Sequence, residues 1–172
     1  IEEDFMTSKK NFLSAIHFEL SEIRQLDGGV DRVTKEWKDA ESELKKHENF
    51  GGELRRNGDL LKEEIQAVVA ADSDPLEKAR KIYRFVQQYF VWDGSDDKYS
   101  EGIRKAIQSK KGNTADINLF LVGALRNQDL DAAPVILSTR DNGVVPDLYP
   151  VLSLFNYVIA SIKIGDKTYL LD

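Results

Sequence analysis

With 172 residues, a net charge of −6 and no cysteine, the chain has the size of one ordinary domain, able to bury roughly 70% of its unfolded surface without a covalent staple. Its 41% hydrophobic and 31% charged residues exclude a disordered tail, and the missing cysteine excludes disulfides, thiolate metal sites and a cysteine nucleophile. A pI near 5.1, with basic residues in scattered pairs such as Lys9-Lys10, Arg55-Arg56 and Lys110-Lys111, argues against a nucleic-acid partner, which needs a clustered basic surface.

No apolar run approaches the ~20 residues of a membrane span. Metal-ligand spacing, a phosphate loop and a nucleotide fingerprint are all missing from the sequence, so no cofactor and no metal is expected. The chain opens on Ile1 and stops at Asp172 after an apolar run, the pattern expected of a piece of a longer protein. Of the 54 charged residues, 43 fall in the first 112 positions and 11 in the last 60, so the two parts are expected to do different jobs.

From Phe12 to Ile23 two periodicities compete. Phe12, Ile16, Leu20 and Ile23 suit a helix, whereas Ile16, Phe18 and Leu20 alternate with polar neighbours as in a strand, which is the preferred reading. After an Asp27-Gly28-Gly29 turn, Val33, Trp37, Ala40 and Leu44 recur at helical spacing, and that helix is expected to end before Phe50-Gly51-Gly52. Asp59 is placed to cap a second helix carrying Leu60, Leu61, Ile65, Val68 and Val69. Asp74-Pro75-Leu76-Glu77 has the cap, first-turn proline and acid of a capping box, opening a helix with the stripe Leu76, Ala79, Ile82, Tyr83 and Val86. Phe90-Val91-Trp92 reads as a short extended piece before a polar loop from Asp93 to Ser100.

Gly112-Asn113-Thr114-Ala115-Asp116 begins the most apolar helix of the chain, with Ile117, Phe120, Leu121, Ala124 and Leu125 on one face. A helix so poor in charge belongs at the centre of a fold. Beyond Ala133–Thr139 and a polar loop with Asn142-Gly143, the runs Asn156–Ile164 and Thr168–Leu171, joined by Gly165-Asp166, carry a hairpin signal. Helices, a central helix and then antiparallel strands make an α+β fold.

These segments resemble the transglutaminase-like superfamily. The resemblance rests on Gly112-Asn113-Thr114-Ala115-Asp116 before the apolar helix, Leu130–Val135, Phe155-Asn156-Tyr157-Val158 and Tyr169-Leu170-Leu171-Asp172, and covers about residues 74 to 172. It implies a papain-like core, a central buried helix packed on an antiparallel sheet and preceded by amphipathic helices. The family's pattern implies a Cys-His-Asp triad: a thiolate favoured by a helix N-terminus, a histidine that takes its proton and a carboxylate that orients the imidazole. Carried over residue by residue, those positions are Thr114, Tyr157 and Asp172.

Two of the three differ from the pattern. A threonine hydroxyl is far less acidic than a thiol, and a phenol titrating near 10 stays protonated at neutral pH and is no general base. Loss of a triad member typically costs thousands-fold or more in rate. His17 and His47 lie outside the motif segments and are read as structural. Thr114 is expected to help cap its helix with Asn113, Asp116 to cap or to pair with Arg140, and Asp172 to accept a hydrogen bond from Tyr157.

The wording from Gly112 to Leu119, Pro134 to Arg140, Asn142-Gly143, Tyr149-Pro150 and Phe155 to Ala160 is similar to a bacterial subgroup of exported multidomain proteins. There a β-rich domain precedes the transglutaminase-like domain and another β domain follows, and Ser or Thr commonly replaces the cysteine. That resemblance implies that residues 1–30 are the tail of a preceding β domain or a linker strand and 31–172 the transglutaminase-like domain. It also implies a periplasmic or cell-envelope location, with the flanking β domains as partners.

The functional expectation is a non-catalytic module, a pseudoenzyme that binds a peptide, a glycan or a neighbouring domain through its vestigial groove, with Asn113, Asp116, Trp92 and Asn156 facing the ligand. The aromatic residues Tyr83, Tyr89, Phe90 and Trp92 line that groove or pack the core and rim. The alternatives are a peptidase, amidase or transglutaminase-type enzyme using Thr114 as nucleophile, and a structural spacer between β domains.

Overall fold

The structure, a computed structural model, describes residues 8–12, 20, 22–32, 36–69, 74–145 and 150–172. In chain order the first elements are a single 3-10 turn at Lys9–Phe12 and the strands β1 (Glu22–Arg24) and β2 (Val30–Arg32), which pair antiparallel around the Asp27-Gly28-Gly29 turn. Gly28 at φ 91 takes the left-handed conformation that such a turn favours. Residues 13–19 and 21, and with them most of the ambiguous stretch and His17, lie outside the described residues.

The first helix, α1 (Trp37–Lys46), follows; Val33, expected within it, lies outside the described residues. Glu36 N–H is held by the Asp39 carboxylate at 3.1 Å, and Ala40 and Leu44 point into the core. α1 ends at Lys46, before Phe50-Gly51-Gly52 as the sequence predicts, because His47 turns the backbone out of the helix at φ −59 and ψ 130. After His47 a new helical stretch begins, a π turn at Glu48–Gly52 that continues into α2 (Glu53–Asn57). A Cβ on Gly51 would press into the Lys45 carbonyl, so glycine lets the π turn pack tightly against the end of α1.

Asp59 does not cap the second predicted helix. That helix, α3 (Lys62–Val69), starts three residues later, because Leu61 turns into the left-handed region at φ 57 and Asp59 takes part only through its carbonyl oxygen, which accepts from Lys62 N–H. Asp74 caps α4 (Pro75–Tyr89) by accepting Glu77 N–H at 3.1 Å. The other half of the box is replaced by an ion pair from Glu77 to Arg80 at 2.7 Å. Ala79, Ile82 and Val86 form its buried stripe.

β3 (Val91–Trp92) is the expected extended piece. It pairs in parallel with β4 (Lys111–Gly112), across an excursion that contains α5 (Ile103–Ser109). Sequence reasoning missed α5. Its N-terminus is satisfied by a residue fifty positions away, since Ile103 N–H donates to Glu53 Oε2 at 2.9 Å, and its C-terminus ends on left-handed Lys110 rather than glycine. Neither signal is local.

The central helix is α6 (Thr114–Arg126), in which every residue except Ile117 and Arg126 is buried. One side lies against the antiparallel sheet β5 (Asp131–Leu137), β6 (Tyr157–Ile164) and β7 (Lys167–Leu171), in that order, and the others against α2, α4 and α5. Leu137 pairs with Tyr157, and Ala160 with Leu171. Pro134 is tolerated in β5 because that strand is an edge of the sheet. Gly123 is where α6 meets the turn after α2: a Cβ there would lie 3.1 Å from Gly58 Cα. The architecture is α+β, with a buried helix on an antiparallel sheet, as the sequence predicts.

Candidate functional site

The site is assembled from the head of α6, the start of β6 and the end of β7. Asn113 is the N-cap of α6. Its side-chain oxygen accepts Asp116 N–H at 2.8 Å while the Asp116 carboxylate accepts Asn113 N–H at 3.1 Å, two free amides satisfied reciprocally. Asp116 is 3% exposed and also receives Ser100 Oγ at 2.5 Å and Gly102 N–H at 3.0 Å. Of the two roles predicted for Asp116 the cap is the one observed, and the bonds that complete it come from the polar loop rather than from Arg140. Gly112 makes the arrangement feasible, since a Cβ there would stand 2.8 Å from Asp116 Cβ.

Thr114, in the first turn, is 6% exposed. Its hydroxyl donates to Asp97 O at 2.9 Å and accepts Asp97 N–H at 3.0 Å, while its own N–H donates to Ser95 O at 3.2 Å. A strap of backbone from Ser95 to Asp97 therefore covers the position of the nucleophile. Trp92 fastens the strap from the far side, donating its indole N–H to Ser95 O at 3.0 Å, and leaves half of its ring surface in solvent.

Tyr157 and Asp172 meet as their strand positions require, Asp172 following directly on the Leu171 to Ala160 pair. The Tyr157 hydroxyl lies 3.0 and 3.1 Å from the two oxygens of Asp172. Burial, the hydrogen bond to Asp172 and the negative charges of Asp172 and Asp96 push the Tyr157 phenol well above its usual range. It is a held proton donor, unable to act as a base. Asn118, one turn along α6 from Thr114, donates Nδ2 to Asp172 Oδ1 at 3.0 Å and to the Val158 carbonyl at 3.0 Å. The Tyr83 hydroxyl donates to the main-chain oxygen of Asp172 at 2.6 Å.

Asn118 was not anticipated, although an amide in an otherwise apolar helix, four residues after Thr114 and so on the same face, is a readable signal. The predicted binding residues have differing surroundings. Asn113, whose amide also reaches Tyr99 O at 3.1 Å, and Asp116 are fully occupied within the helix head. Asn156 braces the start of β6, its amide exchanging hydrogen bonds of 2.9 Å with Thr139 N–H and Oγ1. Trp92 alone of the four presents a large exposed surface.

The aromatic cluster divides: Phe90 packs edge-on to Phe120 in the core, Tyr89 meets Phe90 edge-on at its rim, and Tyr83 and Trp92 lie beside the site. His47 stacks on Tyr99 with ring centres 4.1 Å apart and accepts Asn49 N–H, a structural role. Lys98 is 9% exposed and donates to Phe155 O at 2.8 Å. Burial draws its ammonium below the usual lysine range against the opposing charge of Asp97. Among the described residues no group of histidine and carboxylate side chains could hold a metal ion, and no helix is long and apolar enough to cross a membrane.

The pattern of the transglutaminase-like superfamily matches residues 62–169. No curated protein matches the chain. The fold is similar to the crystal structure of "a putative protease" from Parabacteroides distasonis ATCC 8503, with a TM-score of 0.63 at 14% identity. The likeness covers 93% of this chain but 32% of that one, so this chain spans about a third of its length.

Proposed function

The chain belongs to the transglutaminase-like superfamily, and on that premise we propose that it is a non-catalytic module in which the triad positions have passed from turnover to recognition. The observation that carries this reading is the state of the Thr114 hydroxyl. Both its proton and an acceptor lone pair are taken by the Asp97 backbone, and the nearby phenol that replaces the histidine holds its own proton against Asp172. A nucleophile needs a base to take its proton, and neither group supplies one.

Recognition falls to what stays exposed at the rim: the Trp92 ring, the Tyr157 edge and the Asp172 carboxylate. A fixed aromatic face beside a carboxylate suits a peptide, a glycan or the surface of a neighbouring domain. The module's place in an exported, envelope-associated multidomain protein, between β-rich domains, is part of the same proposal and rests on the sequence resemblance alone. The strap over Thr114 favours a second reading, in which the domain is a spacer and the closed helix head is simply packing.

The test combines activity and binding. Wild type and Thr114→Ala are compared on a panel of peptide, amide and glutamine substrates, with equal background expected for both. Turnover lost in Thr114→Ala would overturn the proposal in favour of a threonine nucleophile. Binding to peptide and glycan arrays, weakened about tenfold by Trp92→Ala, supports the rim; retention of nothing on either array supports the spacer.

A further inference from the structure

A cavity lies at the opposite end of the central helix from Thr114. It measures about 180 Å³ and is walled by Phe50, Leu54 and Pro134 together with three cations, Lys45, Arg55 and Arg126. Arg126 is twelve residues from Thr114, which at 1.5 Å per residue places the two about 18 Å apart along α6. None of Thr114, Tyr157 and Asp172 lines this cavity.

Its cations come from three different elements, the last turns of α1, α2 and α6, so only the fold brings them together. Two of them are already oriented. Arg55 Nη1 donates to the Lys45 carbonyl at 2.5 Å, and Arg126 Nε donates to the Ala132 carbonyl at 2.7 Å. Each guanidinium spends a single donor on its anchor. Both terminal nitrogens of Arg126 and the rest of the Arg55 fork have no acceptor among the described residues.

No carboxylate stands within ion-pair distance of either arginine among the described residues, whereas Lys45 is paired with Glu41 at 2.5 Å. An anchored, planar fork loses little freedom on meeting a carboxylate and matches its two oxygens. Asp131 is the acidic group that acts electrostatically on Arg126, and burial of that guanidinium opposes its charge. In a chain of net charge −6, a cavity with this bias is a local reversal of sign.

The remaining wall decides the class of anion. Phe50, Leu54 and Pro134 offer only carbon to the cavity, and its volume equals about six water molecules at roughly 30 Å³ each. An inorganic anion would leave that apolar wall wet. A carboxylate carrying a short aliphatic group satisfies both sides. We propose that this cavity binds an aliphatic carboxylate, such as the C-terminus of a peptide ending in an aliphatic residue, with the carboxylate on Arg126 and Arg55 and the side chain on Phe50, Leu54 and Pro134.

The experiment is a titration of the isotopically labelled 172-residue chain with N-acetyl-leucine, followed by amide chemical shifts. Saturable shifts are expected at Phe50, Gly51, Leu54 and Arg126, with those of Asp97 and Thr114 unmoved. N-acetyl-leucinamide, which lacks the charge, is expected to bind about tenfold more weakly or worse, as is inorganic phosphate, which lacks the aliphatic group. Arg126→Gln is expected to weaken N-acetyl-leucine about tenfold, and Arg126→Lys to restore only part of it because the fork is gone. A second variant, Arg55→Gln, gives the same reading should Arg126→Gln disturb the turn before β5. Shifts that never saturate, an amide that binds as well as the acid, or phosphate that binds as well as N-acetyl-leucine would each overturn the proposal.

Discussion

Asn118 and Asp172 are joined by a 3.0 Å hydrogen bond across the seam between α6 and β7, and the same amide group reaches the Val158 carbonyl on β6. One side chain thus fixes the carboxylate to the central helix and the helix to the sheet. Asn118→Leu keeps the size and removes both bonds, leaving a buried acceptor without its donor. The expected loss is about 1–3 kcal/mol in urea unfolding. Asn118→Asp is expected to cost more, because it puts a carboxylate at a buried position beside that of Asp172.

Tyr157 has a phenol raised above its usual range by burial, by its bond to Asp172 and by neighbouring negative charge. The sign of the linkage follows. The neutral form is favoured in the folded state, so the contribution is fully present below the unfolded phenol pKa of about 10 and is lost as pH rises from there toward the folded value. Unfolding measured through the alkaline range should show this fall, and Tyr157→Phe should flatten it. In phenolate absorbance, Tyr157 and Tyr99, which burial and the charges of Glu43 and Asp97 also raise, should ionise after the other tyrosines.

Thr114→Val retains the shape and deletes both bonds to Asp97. The expected loss is about 1–2 kcal/mol. Hydrogen exchange at the Asp97 amide should accelerate by about tenfold or more while amides in β6 change far less, a local opening of the strap. Uniform acceleration across the domain would show that the strap and the core open together.

Thr114→Cys supplies the thiol that the family pattern places there, and the Ser95–Asp97 strap should keep its alkylation slow. Adding Tyr157→His puts an imidazole beside Asp172. The double variant is expected to alkylate about tenfold faster than the single one near neutral pH, by raising the thiolate fraction. Equal rates would mean that position 157 no longer addresses position 114.

Asp116→Ala removes a buried acceptor shared by Asn113 N–H, Gly102 N–H and Ser100 Oγ. Stranding Asn113 N–H and Ser100 Oγ at the head of the central helix, while Gly102 N–H keeps only its bond to Ser100 Oγ, should cost about 2–4 kcal/mol. Gly112→Ala is expected to cost about 1–3 kcal/mol by overpacking, as the new methyl meets Asp116 Cβ at 2.8 Å and Ala106 Cβ at 3.0 Å. Thermal unfolding of the two variants ranks these losses.

What was legible in the sequence was what depends on local pattern. The charge-poor run from Ile117 to Leu125 announced a central helix, the Gly165-Asp166 pair announced the hairpin, and Asp74-Pro75 announced the start of α4. What escaped was decided at a distance. The N-terminus of α5 is satisfied by Glu53, the π turn after α1 depends on Gly51 pressing against the Lys45 carbonyl, and Leu61 is forced left-handed just where Asp59 looked like a cap. At the site, the resemblance pointed to Thr114, Tyr157 and Asp172, and the Tyr157–Asp172 bond is present, but it gave no sign of the backbone strap over Thr114, which is made of main-chain atoms and has no residue signature.

The two-rung ladder between β3 and β4 bears on how such a domain changes over time. Hydrogen bonds from Val91 N–H to Lys110 O at 2.8 Å and from Asp93 N–H to Gly112 O at 3.0 Å clamp the neck of the excursion that passes over the helix head. With its neck clamped, and with Ser100 and Lys98 tied down inside it, the stretch around Gly94 to Asp97 resembles an exchangeable cartridge. Doubling the length of such a loop costs only about 0.6 kcal/mol in closure entropy. New side chains can therefore be offered to whatever approaches the head of α6 while the core beneath remains as it is.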